Sequence, residues 1–340
     1  MDALREFIIE KSKKLNIDII GFTSGDPLLD LEDYLSQRSS MGYETEFEEK
    51  DISKRLNPKL SLESCKSIIV IGLSYNNDFE TNKDIAPRGI LSKTSWGEDY
   101  HRVLKSRMES LIDEIKKVKD FSYKAFVDTG PLIDRELARN AGIGYYGKNC
   151  SIINKDYGSF IFLGYILSDL EVEIENKLVE DGCGDCDLCI RACPTGALEE
   201  PYRLNPKKCI SYLTQTKDII LDDLRDRMGN RIYGCDTCQL VCPKNKGVKL
   251  PNHMEFIPSL TQGIVDIEEL LFMSNRKFKE KYGSMSGAWR GKNILIRNAI
   301  IALGNTRDKK HIPLLESYNE KDNRWEDYVN WAINKILTRA

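Results

Sequence analysis

The sequence predicts three consecutive units: an α/β domain over residues 1–174, a cysteine-rich module over 175–250 and an α-helical repeat region over 251–340. Three observations predict them. Apolar runs alternate with amphipathic ones as far as residue 174, the pattern of strands layered with helices. Eight of the ten cysteines then fall between positions 183 and 242. Beyond 251 the periodicity is helical throughout, and part of it recurs at an offset of 33 residues.

Within the first unit, 17–23, 67–75, 123–127 and 160–168 are apolar runs of strand length, while 2–15, 98–119 and 132–141 carry the amphipathic period of helices. No apolar run reaches the roughly 20 residues a membrane-spanning helix needs. The start at Met1 is charged and amphipathic rather than a secretion signal. A cytoplasmic protein with reduced thiols is therefore expected.

The second unit reads Cys183-x2-Cys186-x2-Cys189-x3-Cys193-Pro194, followed by Cys209 and Cys235-x2-Cys238-x3-Cys242-Pro243. This is the run of bacterial two-cluster ferredoxins, in which the fourth cysteine ligates the other cluster. It predicts two [4Fe–4S] clusters, one on Cys183, Cys186, Cys189 and Cys242, the other on Cys193, Cys209, Cys235 and Cys238. Structural zinc would use only four ligands per site and gives no reason for both Cys-Pro endings; disulfides would need an oxidising compartment. The segment has little apolar periodicity, so its metal rather than a core is expected to organise it. Cys65 and Cys150 stand outside the pattern and read as buried free thiols.

In the third unit Ile296, Ala299, Ile300 and Leu303 recur as Val329, Ala332, Ile333 and Ile336, with Trp331 in place of Asn298. Such recurrence predicts HEAT-like paired helices that bury each other's apolar stripes. The segment from Arg276 to His311 holds ten Lys or Arg against Glu280 and Asp308, a net +8; with −3 for the whole chain, the rest carries −11. An acidic body with one basic segment points to a polyanionic partner such as nucleic acid, although a solvated helix face gives the same pattern.

Two motifs are set aside. Gly142 to Gly147 matches G-x-G-x-x-G and, with Lys148, nearly a phosphate-binding loop, but both need a strand before and a helix after. Here the helix 132–141 comes first and Gly142 reads as its C-terminal cap. Asp99-Tyr100-His101 invites a corrinoid-ligating D-x-H-x-x-G, but position 104 is Leu104, so His101 reads as a pocket residue. Asp128 is the stronger candidate for chemistry. It ends the strand 123–127, and in α/β folds ligands collect beyond the carboxyl ends of strands. Walled by apolar residues and a large cofactor, its carboxyl would have a raised pKa and donate a proton; the alternative is a turn-capping Asp.

Taken together, Arg88-Gly89, Ser95-Trp96-Gly97-x-Asp99-Tyr100-His101, Val127-Asp128-Thr129-Gly130 and Ala141-Gly142-Ile143-Gly144 resemble the cobalamin-dependent epoxyqueuosine reductases of tRNA queuosine biosynthesis. The resemblance continues through Tyr157-Gly158-Ser159, Ile210 to Thr216, Tyr233-Gly234-Cys235-Asp236, Gly287 to Lys292 and Arg297-Asn298-Ala299, and covers essentially the whole chain. It implies base-off cobalamin in the α/β domain, fed single electrons by the clusters, and reduction of epoxyqueuosine at the wobble position of tRNA, with Asp128 protonating the departing oxygen. It places Arg55, Ser92, Asp128, Ile152, Leu163, Ser211, Gln215 and Asp236 against the corrinoid. Arg290, Lys292 and Arg297 would grip tRNA phosphates, with Lys217 nearer the modified base.

Some members of this family carry Cys at the position of Ser92, so no thiol is claimed there. A low-potential ferredoxin or flavodoxin is the expected donor, and a monomer is expected. A corrinoid reductase of another substrate, such as a reductive dehalogenase, would share clusters and cofactor but has no use for the basic tail. A ferredoxin-type carrier would need neither Asp128 nor the first domain.

Overall fold

The computed structural model describes residues 3–81, 85–175 and 178–338, so Asp2, where the first predicted helix begins, lies outside the described residues. The first unit is built on a four-stranded sheet of order β1–β2–β7–β4, formed by Ile19–Ser24 (β1), Ser67–Ser74 (β2), Ile161–Ser168 (β7) and Tyr123–Phe126 (β4). Every residue of β2 is buried. Because side chains alternate along a strand, Ile69, Ile71 and Leu73 face one layer and Ile68 and Val70 the other. The first layer is the helix Tyr100–Lys116, whose Leu104, Met108, Leu111 and Ile115 recur at helical spacing. The second is the short helix Asp134–Asn140 with Leu137 and Ala138.

The layering follows the sequence, but the strand directions do not. All three pairings are antiparallel, so the rule that places ligands beyond the carboxyl ends of parallel strands does not locate a site here. A strand covered on both faces reads as one apolar run whichever way its neighbours point. The connections decide direction, and composition does not reveal them.

A second sheet, of order β10–β3–β11, takes one strand from each of the three stretches: Arg88–Leu91 (β3), Arg231–Tyr233 (β10) and Ile264–Asp266 (β11). Runs this short carry no readable period. Leu91, Trp96, Ile232 and Val265 join Leu295, Ala299 and Leu303 of the helix Lys292–Thr306 in one core. That helix is buried from Ile294 through Gly304, so it is a central helix rather than an amphipathic surface one. The helix Glu326–Leu337 packs directly across it. A Cβ on Gly304 would come within 2.8 Å of the Trp331 ring, so the two helices matched at offset 33 are packed neighbours, and Trp331 fills the space Gly304 leaves.

The glycine-rich segment behaves as its order in sequence dictates. Gly142, at φ +70°, ends the helix Asp134–Asn140, and the Ile143 amide donates to Ala138 O at 2.9 Å. The chain then forms the hairpin of Tyr145–Tyr146 (β5) and Ile152–Ile153 (β6). A further pair, Leu198–Glu200 (β8) and Arg203–Leu204 (β9), lies in the cysteine-rich module. Among the described residues no helix is long and apolar enough to cross a membrane.

Candidate active site

The cysteine-rich module is held by two short helices, Leu188–Ala192 and Thr237–Leu240, packed on one another. Cys242, from the second run, lies by Cys183 and Cys189 of the first. Cys209 faces Cys193 and Cys235, and Cys238 faces Cys209 and Cys235. The Cys186 amide donates to Cys183 O at 3.0 Å, which keeps it in the first turn. A thiol of the second run thus lies near two of the first, and Cys189 of the first run lies near Cys238 of the second.

Asp128 follows β4 at φ +56°, left-handed backbone that Asp tolerates better than most residues. The Thr129 amide donates back to Val127 O at 2.5 Å, closing a three-residue turn with Asp128 at its centre. Strain of this kind collects where a side chain must be aimed. The Tyr100 hydroxyl donates to Asp128 Oδ2 at 2.7 Å, and His101 Nε2 lies 3.7 Å from the same oxygen. Both partners start the helix Tyr100–Lys116, capped by Asp99, whose Oδ1 accepts from the His101 amide at 3.1 Å and meets His101 Nδ1 at 2.7 Å. Tyr100 stacks between His101 and Phe162 at centroid distances of 4.1 and 4.2 Å, which fixes its ring.

The chain's own residues set the protonation pattern around Asp128. Burial among the surrounding elements pushes its pKa up, but His101 and Tyr100 more than cancel that, and the carboxyl lies below its ordinary range. Its side chain keeps 65% exposure. For His101, burial lowers the pKa while the carboxylates of Asp128 and Asp99 push it up to about 9. The proton of this group therefore rests on the imidazole at neutral pH. Behind the loop, burial and the Asp128 charge push Asp134 up to about 7.

A pH dependence of stability follows. Since the His101 pKa rises on folding from 6.5 to about 9, the contribution is fully present below pH 6.5 and lost as pH rises through 9. With 35% of the side chain exposed, solvent screening reduces it to about 1 kcal/mol. Urea midpoints of wild type and His101→Gln should converge between pH 6.5 and 9.5; a constant gap would show that the imidazolium is not stabilised there.

The remaining predicted site residues fall into groups. Ser92 Oγ donates to Asp236 Oδ1 at 2.6 Å, and the Lys93 amide donates to Asp236 Oδ2 at 2.7 Å. Gly234, at φ +68°, leaves room for this pair, since a Cβ there would lie 2.5 Å from Ser92 Cβ. Gln215 Nε2 donates to Ser211 O at 2.8 Å, while its Oε1 accepts from the Tyr233 hydroxyl at 3.1 Å. Tyr233 in turn lies beside Asp128. Ile152 and Leu163 belong to the apolar cluster around the helix Asp134–Asn140. Arg55 is held 3.1 Å from Glu48, which also binds Arg38.

Lys217, expected nearer the modified base, is exposed, whereas the three predicted phosphate contacts are not. Lys292 donates to Met273 O at 2.7 Å. Arg290 is 14% exposed and paired with Glu46 at 3.2 Å. Arg297 is a correction: it is wholly buried, with its guanidinium donating to Thr216 O and Leu213 O, both at 2.7 Å. It cannot reach a phosphate. Tyr100, Tyr233 and Trp289 lie within the motifs quoted for the resemblance but were given no role from sequence, and Phe47 was not singled out at all.

Residues 55–129 match the family profile described as Epoxyqueuosine reductase QueG, DUF1730, and residues 182–245 that of a 4Fe-4S double cluster binding domain. Spacing, crossed thiol sets and this match together identify a module for two [4Fe–4S] clusters. The epoxyqueuosine reductase of Bacillus cereus is 46% identical over 343 residues, covering 98% of this chain and 90% of its own length. That of Escherichia coli is 35% identical over 291 residues, covering 84% and 76%. A crystal structure of an epoxyqueuosine reductase with an epoxyqueuosine-modified tRNA-Tyr stem loop superposes with a TM-score of 0.93 at 44% identity, covering 98% of this chain and 90% of that one. The Streptococcus thermophilus enzyme gives 0.91 at 39%, covering 100% and 92%.

Proposed function

Because the chain belongs to the epoxyqueuosine reductase family and is thus an oxidoreductase, we propose that it reduces epoxyqueuosine to queuosine at the wobble position of tRNA. The observation that carries this is Asp128, aimed by a strained turn and held by Tyr100 and His101, in one chain with a double-cluster module. Reduction of the epoxide to the alkene consumes two electrons and two protons and releases water. The residues around Asp128 can supply the protons.

Cobalamin fits the residues present. His101 is held between two carboxylates, and His253 Nε2 meets Asp18 at 2.7 Å. Ser92, Ser211, Gln215, Asp236 and Arg55 offer polar groups for the amide rim of a corrin, and Ile152 and Leu163 offer apolar contact. Bound there, a corrinoid would supply the low-potential reduction of a carbon–oxygen bond.

Asp128 stands where a departing oxygen needs a proton, and Tyr100 fixes which oxygen of the carboxyl faces it. His101 is the proton store behind the carboxylate. A substrate covering Asp128 removes water from it, which disfavours both charges and moves the proton from imidazole toward carboxyl. Lys217 and the HEAT-like helices are the proposed RNA face, a ferredoxin or flavodoxin the donor, a monomer the working unit and the cytoplasm the compartment.

The test is anaerobic incubation of the protein with cobalamin, a strong reductant and epoxyqueuosine-containing tRNA, followed by mass spectrometry of the nucleosides. Cobalamin-dependent queuosine formation is expected. Intact clusters and bound corrinoid without conversion would overturn the assignment of substrate.

A further inference from the structure

One exposed arrangement is used by neither the clusters nor the acid site. Trp289 is 55% and Phe47 40% exposed, an unusual amount of bare aromatic surface for one spot. Their rings meet edge to face, 5.6 Å apart at 71°. The Arg290 guanidinium lies 4.1 Å from the Trp289 centroid and 4.8 Å from that of Phe47, fixed by Glu46. The indole Nε1 donates to Gln215 Oε1 at 3.0 Å. An exposed indole normally turns freely. This one is held by a hydrogen bond, a cation and a second ring, with the rest of its surface open to solvent.

The same Gln215 oxygen accepts from Tyr233, which lies beside Asp128. Two hydrogen bonds thus connect the platform to Tyr233, which feels the Asp128 charge, and exposed Lys217 follows Gln215 by two positions. Rigid aromatic faces next to cations suit an unstacked base of single-stranded RNA, since every base has a π face. We propose that Trp289 and Phe47, backed by Arg290, form a stacking platform for an unpaired nucleobase adjacent to the reacting nucleoside. This rests on the RNA reading above.

The test uses cluster- and corrinoid-loaded protein and anticodon stem-loops, intact or with a single abasic site at each loop position. Trp289→Ala should weaken binding of the intact loop about tenfold with the salt slope unchanged, because no phosphate contact is lost. One abasic site should cost wild type a similar factor and cost Trp289→Ala nothing further. Trp289→Phe should recover most of the loss, and corrinoid absorbance should be the same in all three proteins. Equal binding by wild type and Trp289→Ala, or no coupled abasic position, would overturn the platform alone. Loss of corrinoid with the indole would overturn it by making Trp289 part of the cofactor site. Failure of the wild type to bind any stem-loop would overturn both the platform and the RNA reading.

Discussion

Asp128→Asn should lower turnover by about 10²–10⁴ while leaving clusters, corrinoid and fold in place. Asparagine tolerates the φ of +56° that this position demands, and its amide oxygen can still accept from Tyr100, so the substitution removes the acidic proton and little else. Tyr100→Phe should cost less, since it frees the carboxyl to rotate without removing the acid. His101→Gln should keep partial activity and shift the alkaline limb of the pH profile downward, because the proton store that lasts to about pH 9 is gone. Single-turnover conversion under anaerobic conditions, read by nucleoside mass spectrometry, checks each variant. Cluster and corrinoid absorbance serve as controls. Full activity in Asp128→Asn would remove this carboxyl from proton transfer, and an unchanged pH profile in His101→Gln would remove the imidazole.

The parts of this site that were legible in the sequence are those whose chemistry fixes their spacing. Eight thiols in two crossed runs can be read without coordinates, because cluster geometry allows few spacings. Asp128 was legible as a polar residue ending an apolar run, although the rule invoked for it, ligands beyond the carboxyl ends of strands in α/β folds, does not carry over to the antiparallel sheet observed. Its protonation state was not legible, since it depends on Tyr100 and His101, which lie 28 and 27 positions earlier in the chain. The Trp289 platform was hidden in the same way. Phe47 comes from an irregular segment and meets Trp289 only through the fold. Charge counting failed at Arg297 because a count of cations does not distinguish a surface residue from one inside a helix buried on all sides.

Arg297 should accordingly show a large effect on stability and none of the signature of a phosphate contact. Its guanidinium donates to two buried carbonyls, Leu213 O and Thr216 O, and to Asn298 Oδ1, with Nε at 3.1 Å from the last. Asn298 Nδ2 in turn donates to Thr214 O and Ile232 O, each at 2.8 Å. One helix thereby fixes the 213–216 loop that carries Gln215. Burial without a carboxylate lowers the guanidinium pKa to about 10, so the charge is kept at neutral pH at a cost. Arg297→Met recovers some of that cost but leaves two carbonyls unsatisfied at about 1–3 kcal/mol each, and a net loss of about 2–4 kcal/mol is expected. Arg297→Lys, which keeps the charge but not the fork, should fall between. A residue gripping phosphate would behave oppositely: its loss would leave the denaturation midpoint in place and reduce the salt dependence of RNA binding by about one ion. Denaturant midpoints and salt slopes on the same two variants therefore separate a clamp beneath the site from a contact on its surface, and the buried hydrogen bonds require the clamp.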